Sequence, residues 1–180
     1  MSSVYFGGSR SLAPSPLVAQ VVQAVLLSGQ SIHVGCQSGA DQQVINYASG
    51  CYSGQFVSSL VIFAVAPFSS APAHVLDQDL SGALVHYSAG GTSAPIKARY
   101  LLRSIAAFQG CSQAVFFSPG SGSLAVAREC VKSGIPVFAF SEQEPNPISS
   151  QAGRWVFNFL VIGSQAFPCW SWSSAQLSLL

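Results

Sequence analysis

Residues 114–130 read AVFFSPGSGSLAVAREC, and the other motifs of the chain are best understood from this stretch. An apolar run (114–117) is followed by a Ser/Pro/Gly turn (118–123) and a helix-compatible segment. This order is typical of a buried strand that ends in a turn at a helix N-terminus, where free N–H groups and the positive end of the helix dipole favour an anion such as phosphate. Gly120 and Gly122 allow a close backbone approach. A P-loop requires a Lys after the turn, and this sequence has none. The alternative interpretation is a strand–turn–helix that binds no ligand.

Strand, turn and helix alternate along most of the chain. Strands are predicted at 4–6, 31–34, 60–66, 113–117 and 135–140, and helices at 15–28, 41–48, 94–108 and 121–133. Such alternation is typical of an α/β fold with a mostly parallel sheet and right-handed crossovers. Residues 67–93 contain Pro and paired Gly and are predicted to be the least regular stretch, either a functional loop or a segment with short elements that the sequence does not locate. Aromatic and aliphatic residues alternate on both sides of Gly163, which predicts a C-terminal hairpin at the edge of the sheet.

The composition is that of one domain with very few charges. The 180 residues suffice for a real core, but only 7% of them are charged, against about 25% in typical domains. Ser, Gln and Gly must supply most of the polar surface, so we expect burial in a homo-oligomer. The net charge of +1 gives no basic face for nucleic acid, and a nucleic-acid partner is therefore not expected.

Cysteines and histidines are scattered and form no metal-binding spacing. The five cysteines include no CxxC pair, and their odd number, without a signal peptide, indicates reduced thiols in the cytosol. The longest apolar runs, such as 60–66, are too short to span a bilayer. We therefore expect a soluble cytoplasmic protein with no metal, no cofactor and no membrane partner.

Three glycine-bearing loops, 7–10, 35–41 and 118–123, each follow a predicted strand. In parallel sheets ligands lie beyond the carboxyl ends of the strands, so these loops are expected to line one crevice. Asp41 is either a helix-start carboxylate or an acceptor for a ligand hydroxyl. Arg99 and Arg103 are four residues apart on one helix face, and at least one is predicted to contact an anion.

These motifs together resemble the SLOG superfamily, the Rossmann-like group that joins DprA/Smf proteins and Lonely Guy (LOG) enzymes. The matching pieces are GSR at 8–10, SGAD at 38–41, the arginine helix, PGSGS at 119–123 and GIPVF after it. The resemblance covers about residues 4–140 of a single Rossmann-like domain predicted over 1–180, with 141–180 as a C-terminal extension. It implies a nucleotide or a nucleotide-derived molecule in the crevice.

The sequence also departs from the LOG pattern PGGxGTxEE. The turn is one residue shorter, Ala125 and Val126 stand near the positions of the two glutamates, and Glu129 lies a full turn further along. Cleavage of an N-glycosidic bond needs a carboxylate, so we expect a protein that binds its ligand without cleaving it. The expected ligand is of the ADP-ribose or cyclic-nucleotide type. The protein would sense or sequester this ligand as an immune signal, such as an antiphage signal.

A LOG-like phosphoribohydrolase, or another nucleotide hydrolase using Asp41 or Glu129, is the first alternative, and a structural homo-oligomer without a ligand is the second. No catalytic residue is predicted. The predicted ligand-binding residues are Gly8, Ser9, Arg10, Gly39, Asp41, Arg99, Arg103, Pro119, Gly120, Ser121, Gly122 and Ser123.

Overall fold

The computed structural model describes residues 2–50 and 56–175. The strands are β1 (Ser3–Gly8), β2 (Ser31–Val34), β3 (Leu60–Phe63), β4 (Leu84–His86), β5 (Gln113–Phe117), β6 (Val137–Phe140), β7 (Gly153–Ile162) and β8 (Gln165–Ser174). The helices are α1 (Pro16–Leu27), α2 (Ala40–Gly50), α3 (Ala73–Leu80), α4 (Ile96–Phe108) and α5 (Ser121–Lys132), with short 3-10 helices at Val57–Ser59 and Phe68–Ser70.

All eight described strands belong to one sheet in the order β4-β3-β2-β1-β5-β6-β8-β7. The first six are parallel, while β8 runs antiparallel to β6 and β7 antiparallel to β8. The chain thus has the predicted α/β, Rossmann-like architecture, and the predicted C-terminal edge hairpin is confirmed. Since β1 and β5 are central neighbours, the loops that follow them meet at one edge of the sheet.

Each face of the sheet is covered by helices, and the central strands are therefore apolar on both sides. Val4 and Phe6 of β1 pack in a core with α1 and α2, whereas Tyr5 between them points to the opposite core with α4 and α5. This alternation follows from the two-residue period of a strand. It explains why VYF and AVFF are continuous apolar runs rather than alternating ones.

The segment 67–93 is more regular than predicted. It contains the second 3-10 helix, α3 and β4, so of the two predicted alternatives the one with short elements describes it. The helix has only eight residues and the strand three, which is too short for a periodic apolar pattern to emerge.

Two predicted boundaries shift at prolines. The helix predicted from residue 94 begins at Ile96, since Pro95 disfavours helical dihedrals in the residue before it. The strand predicted from residue 135 begins at Val137, because Pro136 has no N–H to donate to a ladder. Over residues 2–50 and 56–175, no helix has both the length and the apolar character needed to cross a membrane.

Candidate functional site

A crevice of about 640 Å³ opens beyond the carboxyl ends of β1 and β5. Its volume lies within the usual range for small-molecule sites. The loop after β1, the first turn of α5 and one face of α4 form its walls, and Asp41 of α2 reaches it from the side. The three glycine loops therefore converge as the topology requires.

Most of the predicted ligand-binding residues line this crevice. The lining ones are Gly8, Ser9, Arg10, Asp41, Arg103, Gly120, Ser121, Gly122 and Ser123. The structure does not bring Gly39, Arg99 and Pro119 to its wall. Gly39 instead lets two loops pack closely: its φ is +72°, and a Cβ there would overlap the backbone of Ser9 and Arg10.

Arg99 points to a different place from Arg103, although the two share a helix face. Its Nε donates to Gly91 O and one terminal nitrogen donates to Val65 O, both at 2.8 Å. Four residues are roughly 6 Å along a helix, enough to put Arg99 against the segments that follow β3 and β4. The structure therefore gives Arg99 a role in holding those loops, which the helical spacing alone does not reveal.

Arg103 and Asp41 form an ion pair beneath the crevice, with 3.3 Å between Arg103 Nη1 and Asp41 Oδ2. Only 4% of Arg103 and 7% of Asp41 is exposed. Burial raises the pKa of the Asp41 carboxyl, while Arg103 and the N–H of Gln37 act against this rise. Burial acts to lower the pKa of Arg103, but the charge of Asp41 contributes to a net rise. Asp41 is thus the ion-pair partner of Arg103 and also part of the crevice lining.

The absence of a side chain at Gly35 provides the space that the Arg103 guanidinium occupies. A Cβ at this position would overlap the Arg103 guanidinium and the Asp41 carboxylate. Only part of the guanidinium is satisfied there, since no described residue accepts a hydrogen bond from Arg103 Nε. A buried N–H of a charged group costs free energy when it lacks a partner. The guanidinium that borders the crevice is therefore a buried cation with one unsatisfied donor, Nε, which solvent does not reach.

The first turn of α5 contributes further donors. The first hydrogen bond of this helix runs from Leu124 N–H to Gly120 O at 2.9 Å, so the N–H groups of residues 121–123 precede the helical ladder. A Cβ on Gly120 or Gly122 would meet no other atom within 4 Å, which leaves the space in front of this turn open. The Ser123 hydroxyl is already engaged, because it donates to Gly8 O at 2.8 Å.

The mouth of the crevice joins cations to an aromatic ring. The Arg10 guanidinium lies over the Tyr100 ring, 4.9 Å from its centroid, and Lys97 stands one turn before Tyr100 on α4. Tyr5 lies deeper in the crevice. Burial is the largest cause that raises the pKa of its phenol, so the hydroxyl is protonated at neutral pH and can donate a hydrogen bond. Sequence reasoning missed Tyr5, Lys97 and Tyr100. The i, i+3 spacing of 97, 100 and 103 is the pattern that would have indicated the last two.

Carboxylates are scarce around the crevice. Asp41 is the only acid among the described residues that line it, and the α5 residues Ala125 and Val126 add apolar side chains to the wall. Glu129 lies outside the lining and pairs with Lys132 at 3.0 Å and Arg128 at 2.9 Å. The hydrogen bond from Lys132 is the main cause that lowers the pKa of Glu129. Across the described ranges, no three His, Cys, Asp or Glu side chains group as metal ligands.

Solved structures share this fold at low sequence identity. DNA processing protein A (DprA) from Helicobacter pylori, described in terms of its single-stranded DNA binding mode, matches with a TM-score of 0.58 and 21% identity over 79% of this chain and 66% of its own. DprA from Streptococcus pneumoniae matches with a TM-score of 0.60 and 20% identity, over 83% and 53%. TM1055, a structural genomics target, matches with a TM-score of 0.53 and 14% identity, over 76% and 72%.

These matches show that the chain shares the fold of the two DprA proteins and of TM1055. It spans about two thirds of the Helicobacter protein and about half of the Streptococcus protein. No protein-family model and no curated protein matches the sequence.

Proposed function

We propose that the crevice binds a phosphate-bearing, nucleotide-derived small molecule and does not cleave it. The observation that carries this proposal is a buried cation, the Arg103 guanidinium, at the wall of a crevice that also receives the N-terminus of α5. The free N–H groups of the helix start would donate hydrogen bonds to a phosphate oxygen, and the guanidinium charge beside them would attract the anion.

The scarcity of carboxylates supports binding over hydrolysis. Cleavage at a sugar carbon needs a group that activates water or stabilises the developing cation. Asp41, the one lining acid, already accepts hydrogen bonds from Arg103 and the Gln37 N–H. Such a site is suited to bind an ADP-ribose-type or cyclic-nucleotide-type signal, and the protein would either sequester this signal or sense it.

The test combines ligand retention with a pair of glycine variants. Purified protein is incubated with ADP-ribose, cyclic ADP-ribose, AMP and cyclic nucleotides, separated from free ligand, denatured by heat and analysed by mass spectrometry. We expect one intact compound to be released. Release of free base or ribose phosphate would instead establish a hydrolase.

Gly120→Val should abolish retention because its side chain would project into open space in the crevice. Gly50→Val is the matched control, since a Cβ there also meets nothing within 4 Å but the residue lies outside the crevice lining. Equal retention by both variants would place the ligand elsewhere.

Single-stranded DNA is a second candidate ligand, favoured by the Arg10–Tyr100 stack and Lys97 at the mouth. Cations beside an aromatic ring are the usual elements of single-strand binding, because bases stack on the ring while the cations meet the phosphates. The net charge of +1 argues against DNA only for the chain as a whole, whereas this rim is locally cationic. The DprA from Helicobacter pylori, which has this fold, is described as binding single-stranded DNA.

Fluorescence anisotropy with a labelled oligothymidylate separates the two candidates. If DNA is the ligand, Tyr100→Ala should weaken binding by about 1–3 kcal/mol, and affinity should fall steeply with salt. No binding of the oligonucleotide at low salt would reject this candidate and leave the small-molecule proposal unaffected.

A further inference from the structure

The floor of the crevice concentrates the buried polar side chains of the described residues. Among the residues that the structure describes, the buried polar or charged ones are Asp41, Arg103 and Ser104, and all three line the crevice. Tyr5, of which 3% is exposed, adds a phenol hydroxyl to the same lining. Burying a polar group costs free energy unless it is hydrogen-bonded. Four such groups at the bottom of one open cavity therefore indicate a floor that meets polar atoms of a ligand.

The Tyr5 hydroxyl is held in position by its aromatic neighbours and by a glycine. The ring packs edge-to-face with Phe108 of α4 and Phe116 of β5, at centroid distances of 6.1 and 5.8 Å. A Cβ at Gly7 would lie only 3.2 Å from the hydroxyl oxygen, which is tighter than most contacts of such an atom. Gly7 therefore leaves room beside a hydroxyl whose direction the two aromatic contacts fix.

The surroundings of this hydroxyl are polar but nearly balanced in charge. Burial is the largest cause of the raised pKa of Tyr5, and the charges of Arg103 and Asp41 act on this pKa in opposite directions. A side-chain hydrogen bond with Ser104 also acts on it, and Ser104 in turn donates to Tyr100 O at 3.0 Å. An anion would gain little beside Tyr5, because Asp41 would repel what Arg103 attracts. An uncharged hydroxyl group meets no such conflict.

The Tyr5 hydroxyl and the start of α5 are close enough for one small ligand to reach both. Gly8 follows Gly7 along β1, about 3.3 Å further, and its carbonyl accepts a hydrogen bond from the Ser123 hydroxyl at 2.8 Å. These short steps put the Tyr5 hydroxyl within roughly 10 Å of the first turn of α5. A phosphate bound at that turn leaves space towards Tyr5 for one sugar ring with hydrogen bonds at both ends.

We propose that Tyr5 is a specificity-determining residue: its hydroxyl, together with that of Ser104, binds an uncharged sugar hydroxyl of the ligand whose phosphate lies at the start of α5. A sugar hydroxyl suits this pair, since it can accept one hydrogen bond and donate another. The inference rests on the proposed function and adds the chemical group next to the phosphate. The crevice then selects a phosphorylated sugar over phosphate alone.

Protein NMR titrations with two probes, inorganic phosphate and ribose 5-phosphate, test this selectivity. Tyr5→Phe should bind inorganic phosphate like the wild type but ribose 5-phosphate about 3- to 10-fold more weakly, the contribution of one neutral hydrogen bond. Ser104→Ala should show the same selective loss. Tyr87→Phe is the matched control, since Tyr87 also has a hydrogen-bonded hydroxyl, donating to Asp79 at 2.8 Å, but lies outside the crevice lining. This control should bind both probes like the wild type.

The titrations distinguish failure of this inference from failure of the proposed function. A wild-type protein that binds neither probe would refute the proposed function and the inference with it. Equal affinity of the wild type for both probes, or ribose 5-phosphate binding that neither variant changes, would refute the inference alone. Equal weakening of both probes by Tyr5→Phe would also refute it, because the residue would then support the shape of the crevice instead of contacting the sugar.

Discussion

Removing Arg103 should destabilise the protein strongly, because it would leave the Asp41 carboxylate buried without its counter-charge. Only 7% of Asp41 is exposed, and its remaining described hydrogen bond comes from Gln37 N–H at 3.2 Å. Breaking a buried pair by deleting one partner costs about 3–5 kcal/mol. For a chain of this size that corresponds to a fall in Tm of about 6–20 °C.

Thermal and urea unfolding of Arg103→Ala measure this loss, with Arg154→Ala as the control for an exposed arginine. A double variant, Asp41→Asn with Arg103→Met, should lose less stability than the two single variants together, since no unpaired charge then remains. The reasoning is refuted if Arg103→Ala and Arg154→Ala unfold alike, or if the double variant loses the full sum. Because Arg103→Ala is expected to unfold more readily, a loss of ligand by this variant would not isolate binding, and Gly120→Val is the cleaner site variant.

The pH dependence of the same variant has a definite sign. Burial raises the folded-state pKa of Asp41 above its ordinary 3.8, and loss of Arg103 removes the main charge that opposes this rise. Between 3.8 and the raised folded pKa, the folded state binds more protons than the unfolded state, so stability falls as pH rises through that window. The stability deficit of Arg103→Ala should therefore shrink as pH is lowered from 7 towards 4. A deficit that grows on acidification would contradict the assignment of Asp41 as the buried charge.

Three further predictions concern neighbouring residues. Gly35→Ala should lower the free energy of unfolding by about 1–3 kcal/mol, since its Cβ would overlap Arg103; unchanged urea denaturation would contradict this packing. Arg99→Ala should speed amide exchange around Gly91 by releasing the two carbonyls that Arg99 holds, and wild-type exchange there would show that the loops need no such anchor. Burial raises the pKa of the Cys111 thiol to about 11. At pH 8 a thiol reagent should therefore label Cys111 only after the protein is unfolded. Labelling of Cys111 in the native protein at the rate of a free thiol would disprove its burial.

The parts of the fold that were predictable have long or repeated local patterns. The central strands β1 and β5 are uninterrupted apolar runs, and α5 starts at a glycine-rich turn and ends before Gly134. By contrast, α3 and β4 are too short for a period to show. Two element starts move because Pro95 disfavours a helical residue before it and Pro136 has no N–H for the strand ladder. Local patterns therefore predicted the long central strands and helices better than the short elements and the element boundaries.

The candidate site divides in the same way. The loop motifs 8–10 and 119–123 were found from the sequence because each follows a strand, and chain topology brings such loops to one edge. Lys97 and Tyr100 were missed because a helix has several faces, and only packing selects the one that borders a crevice.

The sequence by itself determined that strands and helices alternate, that their glycine-bearing loops share one edge of a parallel sheet, and that apolar residues, Leu124, Ala125 and Val126, follow the PGSGS turn. These properties depend on residue order and local geometry alone. Only the tertiary structure decided what the two arginines of α4 do: Arg103 enters the space over Gly35 and pairs with Asp41, while Arg99 anchors two loop carbonyls. Side chains four residues apart look equivalent in a sequence, but the partners within their reach come from segments far away in the chain, and those are set by how the layers pack.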